Sequence, residues 1–572
     1  MCGILGGNNE KWDYQSAIKK LFHRGPDAVS IHKARHFTFA FTRLSVIDLN
    51  NNAMQPMVSK DKRYTIVFNG EIYDYGKVRD RLIQSGYVFK TKSDTEVLLY
   101  AFSNWREKLV EYIDGIFAFA IYDELERKLY LFRDRCGVKP LYYYENGRDF
   151  AFASELKAFE QLGTDIQLTL DNTALYDYHT YLYIPEPKSM YREVKKLPAA
   201  SMLVYDIEAR RILSIKKYWK VCLNSKAGNP LSEKEMDDKA SELKFHLCNA
   251  VKRQVVADVP VGTFLSGGVD SSIITAETKN NVNRQIAAFS IGFSDRRYDE
   301  SKYAREAAKL LGVQLHLKTF ESSDFSRLYF KLKEMFDEPF ADTSAYPTYF
   351  VSTYAKEQVT VVLTGDGGDE LFGGYARCAY CRDTLQKRKY TNKIISDLYI
   401  KYARELDLFG GCFDQILEED LAMLAPWYAK IDFSERKRLR KKFGIPREYD
   451  DFWYYRKYYH KDLPPYTRMR YLDFMTYLNG DILTKVDRTS MAASLEARVP
   501  FLDREVVDFA FSLTEQECNP NGELKGLLKH AYRNEIQKEF FDRKKQGFSI
   551  PVSYISKKAG PQEKLIYDLW KL

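Results

Sequence analysis

Short apolar runs broken by Gly, Asn and Asp dominate the first 160 residues. Residues 64–68 (YTIVF), 117–122 (FAFAIY) and 128–132 (KLYLF) have the length and the aromatic or β-branched content of strands. They predict a layered α+β domain built on antiparallel sheets. From about residue 255 the pattern changes. Residues 261–265, 286–293 and 359–363 are apolar runs bounded by turns, and helical stretches such as 303–311 lie between them. Buried strands that alternate with helices predict a parallel sheet covered on both faces. Residues 224–238 are polar and contain Gly228 and Pro230, and they read as the linker between the two patterns. The chain beyond about 385 reads as helical and tyrosine-rich.

Length agrees with two domains, because 572 residues exceed what one hydrophobic core usually serves. No apolar run is long enough to span a membrane, and the first residues lack the basic-then-apolar order of a secretory signal. The expectation is a cytoplasmic protein. A net charge of +8 is too dilute over this length to imply nucleic acid. The run RKRLRKK at 436–442 reads as a solvated helix face. Cysteines at 2, 136, 222, 248, 378, 381, 412 and 518 have no framework spacing and are expected to be reduced. Cys378 and Cys381 form a CxxC without a second pair, which is weak evidence for zinc.

Candidate chemistry starts at Cys2. A small second residue normally lets the initiator methionine be removed, which leaves a thiol and a free α-amine on one residue. An α-amine with a pKa of about 7.7–8.0 is partly unprotonated near neutrality. Directly or through a water it can take the thiol proton, so that the thiolate attacks an amide carbonyl.

A second centre is written at the end of a predicted strand, in Ser266-Gly267-Gly268-Val269-Asp270-Ser271-Ser272. Two glycines let successive N–H groups turn toward an anion, the following helix adds its positive end, and the serines add donors. No Walker GK[ST] is present, and SGGxDS is the pattern of enzymes that split ATP between the α and β phosphates. Asp369, in the Gly-rich stretch TGDGGDELFGGY (364–375), pairs naturally with Asp270 as a Mg²⁺ ligand, since Mg²⁺ on a triphosphate is held by one or two carboxylates.

The motifs MCGI (1–4), HRGPD (23–27), RLS (43–45), NGEIY (69–73), SDTE (93–96) and RDR (133–135) occur in that order. Together they resemble class II glutamine amidotransferases, and most closely the glutaminase half of asparagine synthetases. SGGVDSS, DEP (337–339), TGDGGDELFGGY, DILTKVDR (481–488) and SLEARVPFLD (494–503) resemble the synthetase half. The resemblance covers about residues 1–550. It implies an N-terminal-nucleophile domain, two stacked antiparallel sheets between helices, over 1–213. A Rossmann-like ATP pyrophosphatase domain is implied over 235–560.

The resemblance also implies roles. Asn69 and Gly70 form an oxyanion hole, Arg43 grips the glutamine α-carboxylate, and Asp94 and Glu71 hold its α-ammonium. Backbone groups of Leu44, Ser45, Val46 and Ile47 line that pocket. Leu265, Ile291, Thr364 and Gly365 contact adenosine, and Lys485 sits on the phosphates. Asp366, where the family usually has Glu, is a base for the incoming ammonia, and the shorter side chain weakens that role. His23 reads as a structural hydrogen bonder. Further departures are Phe41-Thr42 for the usual His-Arg, Cys136 for Phe, and Tyr554 for Trp.

The expected reaction uses glutamine, aspartate and ATP with Mg²⁺, makes asparagine through a β-aspartyl adenylate, and carries ammonia between two sites. A homodimer is implied by resemblance alone. Three other readings stand beside it. The same machinery amidates a sugar uronate or a peptide side chain; a cyclising synthetase uses no ammonia; or the fold serves only as a scaffold. The Cys2 set opposes the second of these, and the intact set of candidate residues opposes the third.

Overall fold

The computed structural model describes residues 1–282, 285–388, 433–536, 550–551, 554 and 570. Cys412, the tyrosine-rich stretch between 389 and 432, and most of the chain after 536 lie outside the described residues.

In the first half the described strands are β1 (Gly3–Gly7), β2 (Ala28–Lys33), β3 (Thr38–Arg43), β4 (Met57–Val58), β5 (Tyr64–Tyr73), β6 (Asp114–Asp123), β7 (Lys128–Arg133), β8 (Tyr142–Glu145), β9 (Phe150–Ala153), β10 (Val194–Lys196), β11 (Ser201–Asp206) and β12 (Arg211–Lys217). They form two antiparallel sheets, ordered β10-β8-β9-β1-β3-β2 and β12-β11-β7-β6-β5-β4. Ile4, Phe39, Phe41, Val67, Ala118 and Ala120 interleave between the sheets. Outside them, the helix Asp94–Trp105 packs Leu98 and Phe102 against Phe119 and Phe132. The central strands are covered on both faces, so FAFAIY and its neighbours are apolar throughout rather than alternating. The expected sandwich between helices is observed.

The second half holds β13 (Val261–Phe264), β14 (Ala287–Phe293), β15 (Gln314–Phe320), β16 (Val361–Leu363) and β17 (Glu496–Arg498), all parallel, in the order β15-β14-β13-β16-β17. Strand order reverses between β13 and β16, and ligands bind beyond the carboxyl ends of strands at such a point. The SGGVDSS loop leaves β13 there, and the Gly-rich loop leaves β16 beside it. The predicted helix at 303–311 is Ser301–Leu311, which buries Ala304, Ala307, Ala308 and Leu311.

Two expectations need correction. The linker ends earlier than 238, because Ser232 and Glu235 close a capping box that starts the helix Glu233–Gln254. The basic run at 436–442 is a solvated face only in part, with Lys437, Arg438, Lys441 and Lys442 exposed. Arg436 and Arg440 are turned inward onto the buried Asp451, at 3.0 and 2.7 Å. Cys378 and Cys381 lie buried on the helix Ala376–Arg388. Among the described residues no helix is long and apolar enough to cross a membrane.

The halves meet across buried charge. Arg24 Nη1 stands 2.8 Å from Asp487 Oδ2 and 2.8 Å from Glu155 Oε1, and Lys139 Nζ reaches Asp487 Oδ1 at 3.2 Å. Arg488 closes the ring onto Glu155 at 3.0 Å, and His23 Nε2 lies 3.2 Å from the same carboxylate. Burial would raise the carboxyl of Asp487, but Arg24 and Lys139 outweigh it and hold it below the usual range. Removing one partner from such a network costs about 3–5 kcal/mol, because it strands a desolvated charge.

Candidate active site

Cys2 immediately precedes β1, and its thiol is buried 4.0 Å from the Leu44 carbonyl. Its backbone N–H donates to Asn69 Oδ1 at 3.0 Å. That commits the acceptor end of the Asn69 amide, and Asn69 Nδ2 is buried with no hydrogen-bond partner among the described residues. Asn69-Gly70 is not a hairpin turn. It lies inside β5, opposite Ala118 and Phe117. Gly70 has φ +149, and a Cβ there would stand 2.0 Å from the Ile116 carbonyl oxygen, so only glycine fits this close strand approach.

Cys2 and Gly70 open on one pocket, lined also by Arg43, Leu44, Val46, Ile47, Glu71 and Asp94. Asn69 and Ser45, both in the expected set, are not among the residues that line it. The Ser45 N–H donates to Asp27 Oδ2 at 2.7 Å. The Arg43 guanidinium is aimed by the carbonyls of Asn50 and Asp48, at 2.9 and 2.5 Å. Gln55, Ser93 and Thr95 also line the pocket and escaped the sequence reading. Gln55 donates to Thr95 Oγ1 at 3.1 Å, and Ser93 caps the helix that carries Asp94.

The two pocket carboxyls differ. Burial pushes Glu71 well above the usual range, with the Glu496 charge adding to it, and Arg498 stands 3.4 Å away. Burial also pushes Asp94 up, to about 6, although the Ile72 N–H donates to it at 3.1 Å.

Met1 is present and buried, with its ammonium 3.0 Å from Glu496 Oε2 of β17. While Met1 is retained, the Cys2 nitrogen is an amide rather than an amine. Burial raises Cys2 above the ordinary thiol value despite the nearby ammonium, so the thiol needs a base.

At the second centre Gly267 turns the chain with φ +72, and a Cβ there would meet the Tyr303 backbone at 2.4 Å. Ser266 Oγ and Ser271 Oγ lie 3.1 Å apart, and Gly268 N-caps the helix Val269–Asn281. The loop after β16 touches this turn. A Cβ on Gly365 would stand 2.8 Å from Ser271 N, and one on Gly368 would stand 2.5 Å from Asp270 Oδ1. Ser272 Oγ and Thr364 Oγ1 are buried without a hydrogen-bond partner among the described residues. Leu265 follows β13 and is fully buried, and Ile291 is buried in β14.

Asp270 and Asp369 converge on one cation, the Lys525 ammonium, at 2.5 and 2.6 Å. Two hard carboxylates that already share a positive charge are a donor set suited to Mg²⁺. Lys485 lies apart from this pair. It is buried rather than on a helix surface, with Nζ 2.7 Å from Asp342 Oδ2. Burial favours its neutral form, but Asp342, Asp481 and Asp366 overcome that and raise it. Asp342 in turn accepts from Ser344 Oγ at 2.7 Å. Neither Asp342 nor Lys525 carries a local signal, since each meets its partner only through the fold. Tyr554, at the departure from Trp, donates to the Phe320 carbonyl at 2.9 Å.

Comparison with known proteins agrees with both halves. A family model described as glutamine amidotransferase domain matches residues 1–219, and one described as asparagine synthase matches residues 242–571. Asparagine synthetase (glutamine-hydrolyzing) 1 of Bacillus subtilis strain 168 is 35% identical, over 97% of this chain and 88% of that protein. Asparagine synthetase (glutamine-hydrolyzing) 3 of the same organism is 30% identical, over 96% of this chain and 87% of that one. Likeness at this level and over this length carries the enzyme class, and with it amide-nitrogen transfer from glutamine. The chain belongs to the glutamine-hydrolysing asparagine synthetase family.

Proposed function

We propose that the protein converts ATP, L-aspartate, L-glutamine and water into AMP, pyrophosphate, L-asparagine and L-glutamate, with residues 1–213 hydrolysing glutamine and 235–560 making the amide. The observation that carries this reading is the Asn69 side chain. Its Oδ1 is tied to the Cys2 backbone at 3.0 Å, and its Nδ2 is buried with no hydrogen-bond partner among the described residues. A buried amide donor beside a nucleophile is what a tetrahedral oxyanion requires, together with the Gly70 N–H.

In the first half-reaction the Cys2 amine takes the thiol proton and Sγ attacks the glutamine side-chain carbonyl. The C–N bond breaks and ammonia leaves, and water hydrolyses the γ-glutamyl thioester to glutamate. Arg43 and Asp94 hold the substrate's carboxylate and ammonium. In the second half-reaction an oxygen of the aspartate β-carboxylate attacks the α-phosphorus of ATP and pyrophosphate leaves. Ammonia then attacks the acyl carbon of the β-aspartyl adenylate, AMP leaves, and Asp366 accepts a proton.

Leu265, Ile291, Thr364 and Gly365 hold the adenosine, and Ser266, Gly267, Gly268, Ser271 and Ser272 hold the phosphates. Asp270 and Asp369 would hold Mg²⁺, which neutralises polyphosphate charge. Lys485 stabilises charge at the α-phosphate. The names of the relatives support aspartate as the acceptor. Reduced cysteines and small soluble substrates fit a cytoplasmic enzyme.

A panel of carboxylates supplied with ATP, Mg²⁺ and glutamine tests the reading. Aspartate should release pyrophosphate and AMP and yield asparagine, whereas uronates and peptide side chains should not. Formation of ADP and inorganic phosphate would replace the adenylate with an acyl phosphate.

Asp94 makes the glutaminase pH-dependent. Its carboxyl, raised to about 6, must be ionised to hold the substrate's ammonium. The charge is present above that value and is lost as pH falls through it. The amine's own titration lowers kcat/KM for glutamine below its pKa of about 7.7–8.0, and Asp94 adds a second factor of up to about tenfold per pH unit on the acid side of about pH 6. Asp94→Asn should be weak throughout and lack this second factor. Persistence of that factor in the variant would assign it to another group.

A further inference from the structure

The ammonium between Asp270 and Asp369 belongs to neither of the two loops that carry those carboxylates. Lys525 reaches them from just before the helix Gly526–Ala531. Its side chain is 8% exposed, and its backbone is held at φ +56, a left-handed conformation unfavourable for any residue with a Cβ. The Lys525 N–H donates to the Phe372 carbonyl at 3.2 Å, which fixes the backbone to the Gly-rich loop. The same loop makes room for the stem of the side chain. A Cβ on Gly374 would lie 2.1 Å from Lys525 Cε and 1.8 Å from Asp369 Oδ1. Three separate segments are thus shaped around one ion pair, which distinguishes it from a chance surface contact.

We propose that Lys525 is the resident counter-ion of the metal site: its ammonium occupies the cation position until a divalent metal arrives with the nucleotide, and then pairs with the polyphosphate. This rests on the metal reading above. An ammonium and a divalent cation compete for the same two carboxylate oxygens, and three positive charges repel one another there. Metal alone must therefore displace the Lys525 ammonium from both carboxylates without supplying an anion in exchange. ATP brings several negative charges, which give the displaced ammonium a partner. The site consequently takes metal and nucleotide together and resists free metal, and by linkage each tightens the other. When pyrophosphate leaves, Lys525 neutralises the charge it carries away from the α-phosphorus and then returns to the carboxylates.

Mn²⁺ alone, followed by its spin-resonance signal, is the probe on the full chain. Lys525→Met and Lys525→Gln should each bind it about tenfold or more tightly than the parent, because the competitor is gone. Their KM for ATP in pyrophosphate release should rise by about tenfold. Adding Asp270→Asn to either variant should abolish the tightened binding. On the parent chain, acetylation of Lys525 read by mass spectrometry should increase about threefold or more when Mn²⁺ is added without ATP. That measurement stands even if neither variant folds. Mn²⁺ affinity no higher than the parent's in both variants, or unchanged acetylation, overturns the role of Lys525. If Asp270→Asn still abolishes Mn²⁺ binding in that case, the metal reading survives. Tight Mn²⁺ binding that ignores Asp270→Asn overturns both.

Discussion

Replacing Cys2 with alanine is expected to reduce glutamine hydrolysis by at least about three orders of magnitude while synthesis from free ammonia persists. The change removes the thiol proposed to attack the substrate amide, and it is small. Cys2 lies just before β1 among Ile4, Phe39 and Phe41, and alanine fits the same space. The phosphate loop and Lys485 belong to the other half of the chain and do not depend on the thiol, so ammonium supplied from solution bypasses the loss.

A chain that keeps Met1, for example behind an uncleaved tag, should show the same selective defect. Its Cys2 nitrogen is an amide that donates to Asn69, and its terminal ammonium is occupied by Glu496 at 3.0 Å. No base then stands at the thiol that burial has made harder to ionise. Glutamine and ammonium assays run side by side decide the matter. Equal loss of both activities in Cys2→Ala would sink the two-site reading, and normal hydrolysis by the tagged chain would sink the role of the amine.

Lys485→Ala is expected to cost synthesis about 2–4 kcal/mol in the transition state, roughly 30- to 900-fold in rate, with either nitrogen source. Charge grows on the phosphate oxygens as the adenylate forms, and a fixed ammonium acts mainly in that state. An exposed lysine would be worth under about 1 kcal/mol, but Lys485 is buried and paired with Asp342 at 2.7 Å. Pyrophosphate release at saturating ATP, Mg²⁺, aspartate and ammonium is the measurement, with glutamine hydrolysis reporting on the other half of the molecule. Lys485→Arg separates charge from geometry, since it preserves the Asp342 pairing and alters the reach. A rate for Lys485→Ala within a few-fold of the parent would remove the lysine from the chemistry.

What could be read from the sequence followed from local constraint. Cys2, Arg43, Gly70 and Asp94 each belong to a short motif whose spacing survives folding, and they meet in one pocket. Apolar runs at 261–265 and 359–363 marked β13 and β16, and their following glycines marked the loops at the switch point. Where the reading failed, the determining partner lay far along the chain. Lys525 finds Asp270 across 255 residues, and Asp342 finds Lys485 across 143. The basic run at 436–442 is exposed at Lys437, Arg438, Lys441 and Lys442 as read, but Asp451 draws Arg436 and Arg440 inward. Ser45 looked like pocket lining because its neighbours are, yet Asp27 holds its backbone elsewhere.

The buried charges between the halves limit how such an enzyme can be taken apart or recombined. Arg24 and Lys139 come from the glutaminase side, and Asp487 and Glu496 from the synthetase side. A glutaminase half grafted onto a foreign synthetase would bring two desolvated cations to a surface with no obligation to supply their anions. Exchange of modules between enzymes of this design therefore succeeds only when the seam travels with them, so the inherited unit is the interface together with both faces that build it.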